Sequence, residues 1–385
     1  MTTQRPATNR IPRLSALGTI RPSSQRSRQD RGPAWTPRTG VLFLVVLLCT
    51  AFVGTGPATA LTAGSAPGAP ATGPAAAPAA PAAGRAAPAR LTSAADHAKV
   101  VAEEQVAPRQ VDLTISSPAL ATTAKVRLLT PTGWEHRRPG QRWPVLYLLH
   151  GCCGDYTSWT SRTDVASIPS LHDVLVVMPE AGNTGWYSDW WNYGQGGAPA
   201  WETFHLTEVR SILEHGYGAG DKRVVAGLSM GGFGAMVYAA RHPGMFRAAA
   251  SYSGVVDNRY TPDASETILG FVRRYDLDPL ALWGDSGAQA DIWAAHNPVD
   301  LAPRLRDIPL FLSSGNGENG PLDPPGVSGG IEVLIHQENL LFAQRLHDVG
   351  ARHVVTDFYG PGTHAWAYWE RELHRSLPML LAALR

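Results

Sequence analysis

Short apolar runs alternate with longer amphipathic segments over residues 106–385. The apolar runs predict eight strands, at residues 111–116, 124–129, 144–149, 174–178, 223–226, 247–251, 309–313 and 353–358. The amphipathic segments predict helices between the later strands, at residues 202–215, 230–241, 332–349 and 366–381. Strands that are separated by helices form right-handed crossovers. The pattern therefore predicts an α/β fold whose central sheet of about eight strands is mostly parallel, with helices on both faces.

Residues 257–298 form an insertion before the seventh predicted strand, and we expect this insertion to fold as a cap. It contains many large apolar side chains, namely Tyr260, Phe271, Tyr275, Leu282, Trp283, Ile292 and Trp293. These side chains either line an acyl-binding groove beneath the cap or pack the cap onto the body of the domain. The sequence leaves both alternatives open.

The first 60 residues have the pattern of a signal peptide. Residues 1–40 contain eight arginines and one acidic residue, Asp30, and an apolar run begins at Val41. That run is shorter than the roughly 20 residues of a membrane-spanning helix, and the small residues Ala58-Thr59-Ala60 suit a signal peptidase. We therefore expect residues 1–60 to direct secretion, with a retained signal anchor as the alternative.

Residues 61–104 are predicted to be a disordered linker rich in alanine and proline. From Leu61 to about Arg90 the chain consists almost wholly of Ala, Pro, Gly, Ser and Thr, which lack the apolar bulk to offset the entropy of folding. Such a linker would space the catalytic domain, predicted at residues 105–385, from a membrane or cell wall. Association with the cell envelope is therefore an expectation.

The charge of the chain depends strongly on its N-terminus. Removal of residues 1–60 takes away eight arginines and one aspartate, and it changes the formal net charge from +1 to about −6. A negative protein is not expected to bind nucleic acid. Two cysteines remain, the adjacent Cys152 and Cys153, and they are predicted either to form a vicinal disulfide or to stay as two thiols. We expect no metal and no organic cofactor, because no histidine pair has ligand spacing.

The segment Gly227-Leu228-Ser229-Met230-Gly231 lies between a predicted strand and a predicted helix. A G-x-S-x-G sequence in that context is typical of a nucleophile elbow, which lifts the serine hydroxyl above the edge of the sheet. Ser229 is therefore the predicted nucleophile. Its hydroxyl needs a neighbouring base to accept its proton.

Four turns that are rich in polar residues or glycine follow predicted strands, at residues 150–154, 227–231, 314–317 and 360–364. Ligands bind at the carboxyl ends of the strands in such sheets, so we expect one site where these turns meet. Among the late histidines, His336, His347 and His374 lie in helical segments, and His353 begins a strand. His364 alone follows the last strand in a loop, and it is the predicted base.

The acid of the triad has four candidates in the sequence. Glu318 and Asp323 lie in a predicted turn, whereas Glu332 and Glu338 lie at the start of a predicted helix. The pattern of residues does not choose among them. For the oxyanion hole, we expect the backbone amide of Met230, next to the nucleophile, and that of Cys152, in the loop after the third predicted strand.

The domain resembles the secreted mycolyltransferases of the antigen 85 complex and the esterase D-like branch of the α/β-hydrolases. The resemblance covers most of residues 106–385 and rests on these stretches, in family order: Val176-Val177-Met178-Pro179, Trp186-Tyr187-Ser188-Asp189-Trp190, Trp201-Glu202-Thr203-Phe204, Gly227–Gly231, Ser314-Gly315-Asn316-Gly317 and Gly362-Thr363-His364-Ala365-Trp366. It implies an α/β-hydrolase fold and acyl-serine chemistry. It also implies that the acid is Glu332, with Asp323 as the reserve. Trp366, Tyr368 and Trp369 follow His364 in the sequence. Trp366 is predicted to contact the substrate, with packing against His364 as the alternative.

The chain differs from the sugar-binding mycolyltransferases at two positions of the oxyanion loop. Where that family has an aspartate before the glycine and an arginine two residues after it, this chain has His150 and Cys153. These two residues are still expected to face the substrate, but trehalose recognition is not implied. The difference favours a secreted ester hydrolase acting on a small-molecule or lipid ester.

Two other functions remain as alternatives. An acyltransferase would pass the acyl group to a sugar or glycerol hydroxyl instead of water. A catalytically silent cell-surface protein would instead bind glycans through exposed aromatic side chains such as Trp190, Trp191 and Trp201.

Overall fold

A computed structural model describes residues 97–327 and 329–385 of the chain. Its strands are β1 (Lys99–Ala107), β2 (Gln110–Ser117), β3 (Thr122–Leu129), β4 (Trp143–Leu149), β5 (Leu175–Pro179), β6 (Ala219–Leu228), β7 (Ala249–Tyr252), β8 (Leu310–Ser314) and β9 (Val354–Phe358). They form one sheet of nine strands in the order β1-β2-β3-β5-β4-β6-β7-β8-β9. The first three strands are antiparallel, and β4 to β9 are parallel to one another. The predicted α/β fold is confirmed.

The helices are α1 (Ser158–Arg162), α2 (Trp201–Thr203), α3 (Arg210–Gly216), α4 (Met230–Arg241), α5 (Pro262–Arg274), α6 (Pro279–Trp283), α7 (Ala290–Ala295), α8 (Pro298–Leu301), α9 (Gly330–Asp348) and α10 (Trp366–Ala383). A π-helical segment, Phe204–Val209, joins α2 to α3. Within residues 97–327 and 329–385, no helix combines the length and the apolar composition that crossing a membrane requires.

The sheet is covered on both faces, as its apolar strands require. Along β4, Val145 and Tyr147 pack in one core with α4 and α9, whereas Leu146 and Leu148 pack in the other core with α1 and α10. A strand that is buried on both faces has no polar face, which explains the continuous apolar runs in the sequence.

The folded domain starts earlier than the predicted boundary at residue 105. Strand β1 spans Lys99–Ala107 and pairs with β2, so the last residues of the predicted linker belong to the sheet. Most of its side chains are exposed, because β1 is an edge strand, and it therefore lacks the apolar run that marks the central strands. The predicted signal peptide, residues 1–60, and the predicted linker up to residue 96 lie outside the described residues.

The insertion between β7 and β8 folds as a cap that contains α5, α6 and α7. Its two tryptophans, Trp283 and Trp293, are fully buried, and their ring centroids are 5.1 Å apart. Trp283 also lies 5.5 Å from the ring of Phe233 on α4. These tryptophans therefore pack the cap onto the body of the domain.

Candidate active site

Ser229 lies in the sharp turn between β6 and α4, with φ 52° and ψ −120°. Such left-handed backbone is costly for a residue other than glycine and is typical of a nucleophile elbow. The flanking glycines permit the turn, because a Cβ on Gly227 would lie 2.2 Å from the carbonyl oxygen of Gly231. A Cβ on Gly231 would lie 2.3 Å from the carbonyl oxygen of Leu149. The elbow therefore packs directly on the end of β4.

The carboxyl ends of the parallel strands are level with one another. In the sheet register, Leu228 pairs with Tyr252, Tyr252 with Ser313, and Ser313 with Asp357. The loops that follow these strands carry Ser229, Ser253, Gly315 and His364 along one edge of the sheet. Neighbouring strands are about 4.8 Å apart, so side chains from adjacent loops can make contact.

Glu332, on the first turn of α9, is fully buried beneath this edge. Its Oε2 lies 2.6 Å from Nδ1 of His364. Its Oε1 accepts hydrogen bonds from the Ser253 hydroxyl at 2.7 Å and from the Gly315 amide at 2.9 Å. Because a carboxylate only accepts, Nδ1 of His364 carries the proton and Nε2 is left as the basic nitrogen.

The ring of His364 packs against Trp369, with the centroids 4.8 Å apart and the planes at 83°. Trp366, which the sequence indicated, instead contacts Trp369 at 5.3 Å and Trp159 at 5.5 Å. Trp366 thus supports the histidine indirectly, through Trp369. The spacing of one helical turn between the two tryptophans was the available signal for this pair.

The other carboxylates considered from the sequence have different surroundings. Glu318 accepts a hydrogen bond from the side chain of Asn316 in an exposed turn. Asp323 accepts from Thr363 and from the Tyr368 hydroxyl, and it thereby fixes the loop next to His364. Glu338 is buried, accepts from the Asp257 amide at 3.3 Å, and has a pKa well above its usual value because of burial.

The predicted oxyanion loop, which follows β4, packs on the predicted nucleophile. A Cβ on Gly151 would lie 2.6 Å from Leu228 Cδ1 and 3.2 Å from Ser229 Cβ. His150 is buried, its Nε2 accepts from the Ala181 amide at 3.0 Å, and its Nδ1 is 2.8 Å from the Gly151 carbonyl oxygen. Both ring nitrogens are thus engaged with backbone, so this side chain supports the loop and does not face a ligand.

The two cysteines lie in the same loop. Cys152 is half-buried and Cys153 is exposed, with φ 65°, and their sulfur atoms are 2.7 Å apart. Contact with Cys152, then the Tyr275 hydroxyl and the charge of Arg274, lowers the pKa of Cys153 to about 6, although burial opposes this. Cys153 is therefore at the contact between the oxyanion loop and the cap.

A narrow apolar cleft with about 20 Å³ of free volume separates α5 from α9. It is lined by Trp186, Val255, Ala264, Thr267, Ile268, Phe271, Ile331, Leu334, Ile335 and Glu338. Val255 donates its amide to the Ser229 carbonyl at 3.4 Å, and Ile331 precedes Glu332, so the cleft adjoins the site. Of the cap side chains considered from the sequence, Phe271 lines this cleft, whereas Leu282, Trp283 and Trp293 are buried.

The burial of three tryptophans bears on the alternative of a glycan-binding protein. Trp190 is buried, and Trp191 and Trp201 are half-buried, so none of the three is an exposed glycan platform. In the described part of the chain, no group of three or more His, Cys, Asp or Glu side chains is placed to hold a metal ion. The contacts of Ser253 and of Tyr187, whose hydroxyl donates to the His150 carbonyl at 2.8 Å, were not indicated by the sequence.

Residues 117–380 match the family model described as "Putative esterase". The Ag85B diacylglycerol acyltransferase/mycolyltransferase of Mycobacterium avium is 31% identical over 255 residues, covering 63% of this chain and 76% of that protein. Esterase Rv1288 of Mycobacterium tuberculosis is 30% identical over 283 residues, covering 70% of this chain and 58% of that protein.

Two solved structures have the same fold. MPT51 (FbpC1) of Mycobacterium tuberculosis superposes with a TM-score of 0.58 and 22% identity, covering 74% of this chain and 100% of that chain. An S-formylglutathione hydrolase from Agrobacterium tumefaciens superposes with a TM-score of 0.57 and 14% identity, covering 74% and 99% respectively.

Proposed function

Because this chain belongs to the esterase family of the α/β-hydrolases, with Ag85-type relatives, we propose that it is a secreted serine ester hydrolase with a Ser229-His364-Glu332 triad. The observation that carries this proposal is the 2.6 Å contact between Glu332 Oε2 and His364 Nδ1, at the sheet edge that also bears the strained Ser229. This arrangement supports a histidine with a fixed tautomer next to the nucleophile.

In the proposed reaction, Ser229 Oγ attacks the ester carbonyl carbon while its proton passes to Nε2 of His364. The backbone amides of Met230 and Cys152 donate hydrogen bonds to the tetrahedral oxyanion. Collapse of this intermediate breaks the ester bond, and His364 protonates the leaving alcohol. Water then attacks the acyl-serine with His364 as base, which releases the acid and restores Ser229.

The acyl chain is proposed to enter the cleft between α5 and α9. That cleft is mostly apolar and adjoins Ser229 through Val255. Its free volume of about 20 Å³ holds about one water molecule. Helix α5 must therefore move away from α9 to admit an acyl chain, and a short chain requires the smaller movement. A series of p-nitrophenyl esters with increasing chain length would measure this preference.

The first experiment is the turnover of p-nitrophenyl butyrate by the purified protein, with Ser229→Ala as the comparison. We expect turnover in the wild type and its loss in the variant. A fluorophosphonate should label the wild type at Ser229. The proposal would be refuted by a folded wild type that does not hydrolyse short-chain esters, does not hydrolyse long-chain esters and does not react with the fluorophosphonate.

Transfer of the acyl group to a sugar or glycerol hydroxyl is the second candidate function. The Ag85B relatives, which are named acyltransferases, favour it. The buried His150 and the exposed Cys153 favour hydrolysis. They replace the aspartate and the arginine that the sugar-binding mycolyltransferases have at these positions. Turnover in excess glucose, trehalose or glycerol separates the two, and an acylated acceptor as main product would favour transfer.

Secretion and association with the cell envelope are part of the same proposal. They are supported by the pattern of residues 1–60 and by the composition of the segment that follows. Fractionation of the producing cells, followed by N-terminal sequencing of the secreted form, tests both. A full-length chain confined to the cytoplasm would contradict them.

A further inference from the structure

Two buried histidines connect helix α4 to the oxyanion loop through backbone peptides. The Tyr238 hydroxyl on α4 lies 2.7 Å from Nδ1 of His205, and Nε2 of His205 lies 2.7 Å from the carbonyl oxygen of Glu180. The next peptide bond links Glu180 to Ala181, whose amide lies 3.0 Å from Nε2 of His150. Tyr238, His205 and His150 are at most 1% exposed.

The chain of contacts ends at the oxyanion loop. Nδ1 of His150 lies 2.8 Å from the carbonyl oxygen of Gly151. That carbonyl belongs to the same peptide unit as the amide of Cys152, which we propose as an oxyanion donor. The preceding carbonyl, that of His150, is held by the Tyr187 hydroxyl at 2.8 Å. Two successive peptides of this loop are therefore anchored from inside the domain.

The direction of each hydrogen bond follows from its fixed partners. The Glu180 carbonyl can only accept, so Nε2 of His205 carries a proton. Burial lowers the pKa of His205 to about 3, so the ring is neutral and its Nδ1 accepts from Tyr238. The Ala181 amide can only donate, so Nε2 of His150 lacks a proton and Nδ1 donates to the Gly151 carbonyl. Every hydrogen bond in the series thus points the same way, towards Cys152.

Peptide geometry carries this direction to the site. In a planar trans peptide the C=O and the N–H point in opposite directions. When His150 holds the Gly151 carbonyl towards the interior, the Cys152 amide is directed to the opposite side. Aligned hydrogen bonds also polarise one another, by roughly 10–30% per bond.

We propose that Tyr238, His205 and His150 form a one-way hydrogen-bond relay that orients and polarises the Cys152 amide, with His150 as the positioning residue closest to the oxyanion. The inference rests on the proposed function, since it requires an oxyanion at this amide. Because the oxyanion forms in the transition state, the relay should affect kcat rather than substrate binding.

Two variants of His150 separate its two hydrogen bonds. In His150→Asn, the side-chain amide nitrogen takes the place of Nδ1 and can still donate to the Gly151 carbonyl. In His150→Gln, the side-chain oxygen takes the place of Nε2 and can accept from Ala181. The side-chain donor to the Gly151 carbonyl is lost, which leaves that carbonyl only the Gly154 amide at 3.3 Å among its described donors. We expect His150→Gln to lower kcat about 10- to 100-fold relative to the wild type, with KM within about 2-fold. His150→Asn, which keeps the donor, should have a kcat much closer to that of the wild type.

The remote end of the relay is tested with Tyr238→Phe, which removes only the first donor. We expect kcat to fall about 2- to 5-fold, because polarisation weakens while the geometry of the loop remains. Tyr217→Phe is the matched control: its hydroxyl donates to Glu103 at 2.6 Å, outside the relay, and its kcat should not change. Melting temperatures of all variants show whether each one folds.

A trifluoromethyl ketone, which forms a tetrahedral oxyanion on the serine, provides the decisive measurement. Its inhibition constant should rise in proportion to the fall in kcat/KM across the His150 and Tyr238 variants. An active wild type whose folded His150→Gln variant keeps full kcat would overturn the inference alone. Equal losses in the Asn and Gln variants, without weaker inhibitor binding, would assign His150 a purely structural role. A wild type without turnover or fluorophosphonate labelling would refute the proposed function and the relay with it.

Discussion

The hydroxyl of Ser253 donates a 2.7 Å hydrogen bond to Oε1 of Glu332. Ser253 lies directly after β7 and has left-handed backbone, with φ 46°. Such a conformation costs about 1–3 kcal/mol and persists where the surroundings fix it. Together with the Gly315 amide, Ser253 leaves Oε2 of the carboxylate to His364. The contact therefore orients the proposed acid of the triad.

Replacement of Ser253 by alanine should lower kcat about 10-fold and leave KM nearly unchanged. The carboxylate loses one hydrogen bond to a charged group, a contact that contributes about 1.5–3 kcal/mol. Ser251→Ala is the control, because the buried Ser251 hydroxyl has no hydrogen-bond partner among the described residues. Steady-state ester kinetics distinguish the two, and equal losses of kcat would contradict the assigned role.

The acid itself is tested by comparing Glu332→Gln with Asp323→Asn. We expect Glu332→Gln to lower kcat about 10³- to 10⁴-fold, since an amide does not hold the histidine in the correct tautomer. Asp323→Asn should lower it less than about 10-fold, because Asp323 contacts Thr363 and Tyr368 rather than the ring. A larger loss from Asp323→Asn than from Glu332→Gln would transfer the role to Asp323.

The buried Glu338 should make the stability of the wild type fall with rising pH. Burial, followed by the charge of Asp257, raises the pKa of Glu338 well above its ordinary 4.5. The folded state therefore binds the proton more tightly than the unfolded state, and unfolding becomes easier as pH rises above about 4.5. Glu338→Gln removes this pH dependence. The free energy of unfolding in urea should therefore rise in the variant, relative to the wild type, from about pH 5 to pH 8. A difference between the two proteins that does not depend on pH would contradict the assignment.

Cys153 should react as a thiolate at neutral pH when the protein is kept reduced. Its pKa is lowered to about 6, chiefly by its contact with Cys152. Alkylation by iodoacetamide should therefore level off above about pH 7, whereas an ordinary thiol becomes more reactive through about pH 8.5. Peptide mass mapping over that range measures the profile. Cys153→Ser, which retains only Cys152, is the control.

The same preparation distinguishes the two alternatives for Cys152 and Cys153, a vicinal disulfide or two thiols. Without reductant, its formation would lower the mass by two hydrogens and abolish alkylation at both cysteines. An unchanged mass would exclude it.

Gly151→Ala should lower both kcat and stability. The added methyl group would lie 2.6 Å from Leu228 Cδ1 and 3.2 Å from Ser229 Cβ, so the oxyanion loop would have to move away from the nucleophile. Gly270→Ala is the matched control, because its new methyl group in α5 would meet no atom within 4 Å apart from its chain neighbours and the backbone of α5 itself. That change should stabilise the protein by roughly 0.5–1 kcal/mol. Thermal unfolding and ester kinetics of the two variants provide the comparison. A Gly151→Ala enzyme with wild-type activity and stability would contradict the prediction, because it would show that the loop can move without loss of either.

The sequence predicted those elements of the fold that a continuous pattern of apolar residues marks. Strands β4, β5, β7 and β8 are apolar runs because they are buried on both faces. The order of strands and helices then determines a parallel sheet. Strand β1 was not predicted, because an edge strand with exposed side chains has no such run.

The sequence indicated the candidate site only where a motif is contiguous. The elbow around Ser229 and the loop of His364 each follow a strand, and that position is visible in the sequence. Glu332 and Glu338 are both buried on α9, so burial does not separate them; only the approach of the His364 loop does. The contact between Tyr238 and His205 joins residues that are distant in sequence, and no local pattern signals it.

The common edge of the sheet has a consequence for the kinetics of folding. The proposed catalytic groups follow β4, β6, β8 and β9, and they come together only when these non-local parallel strands are all paired. Pairings between distant parts of a chain are the slow steps of folding. During refolding, esterase activity should therefore return later than helical circular dichroism, and it would report the closing of the last strand pair.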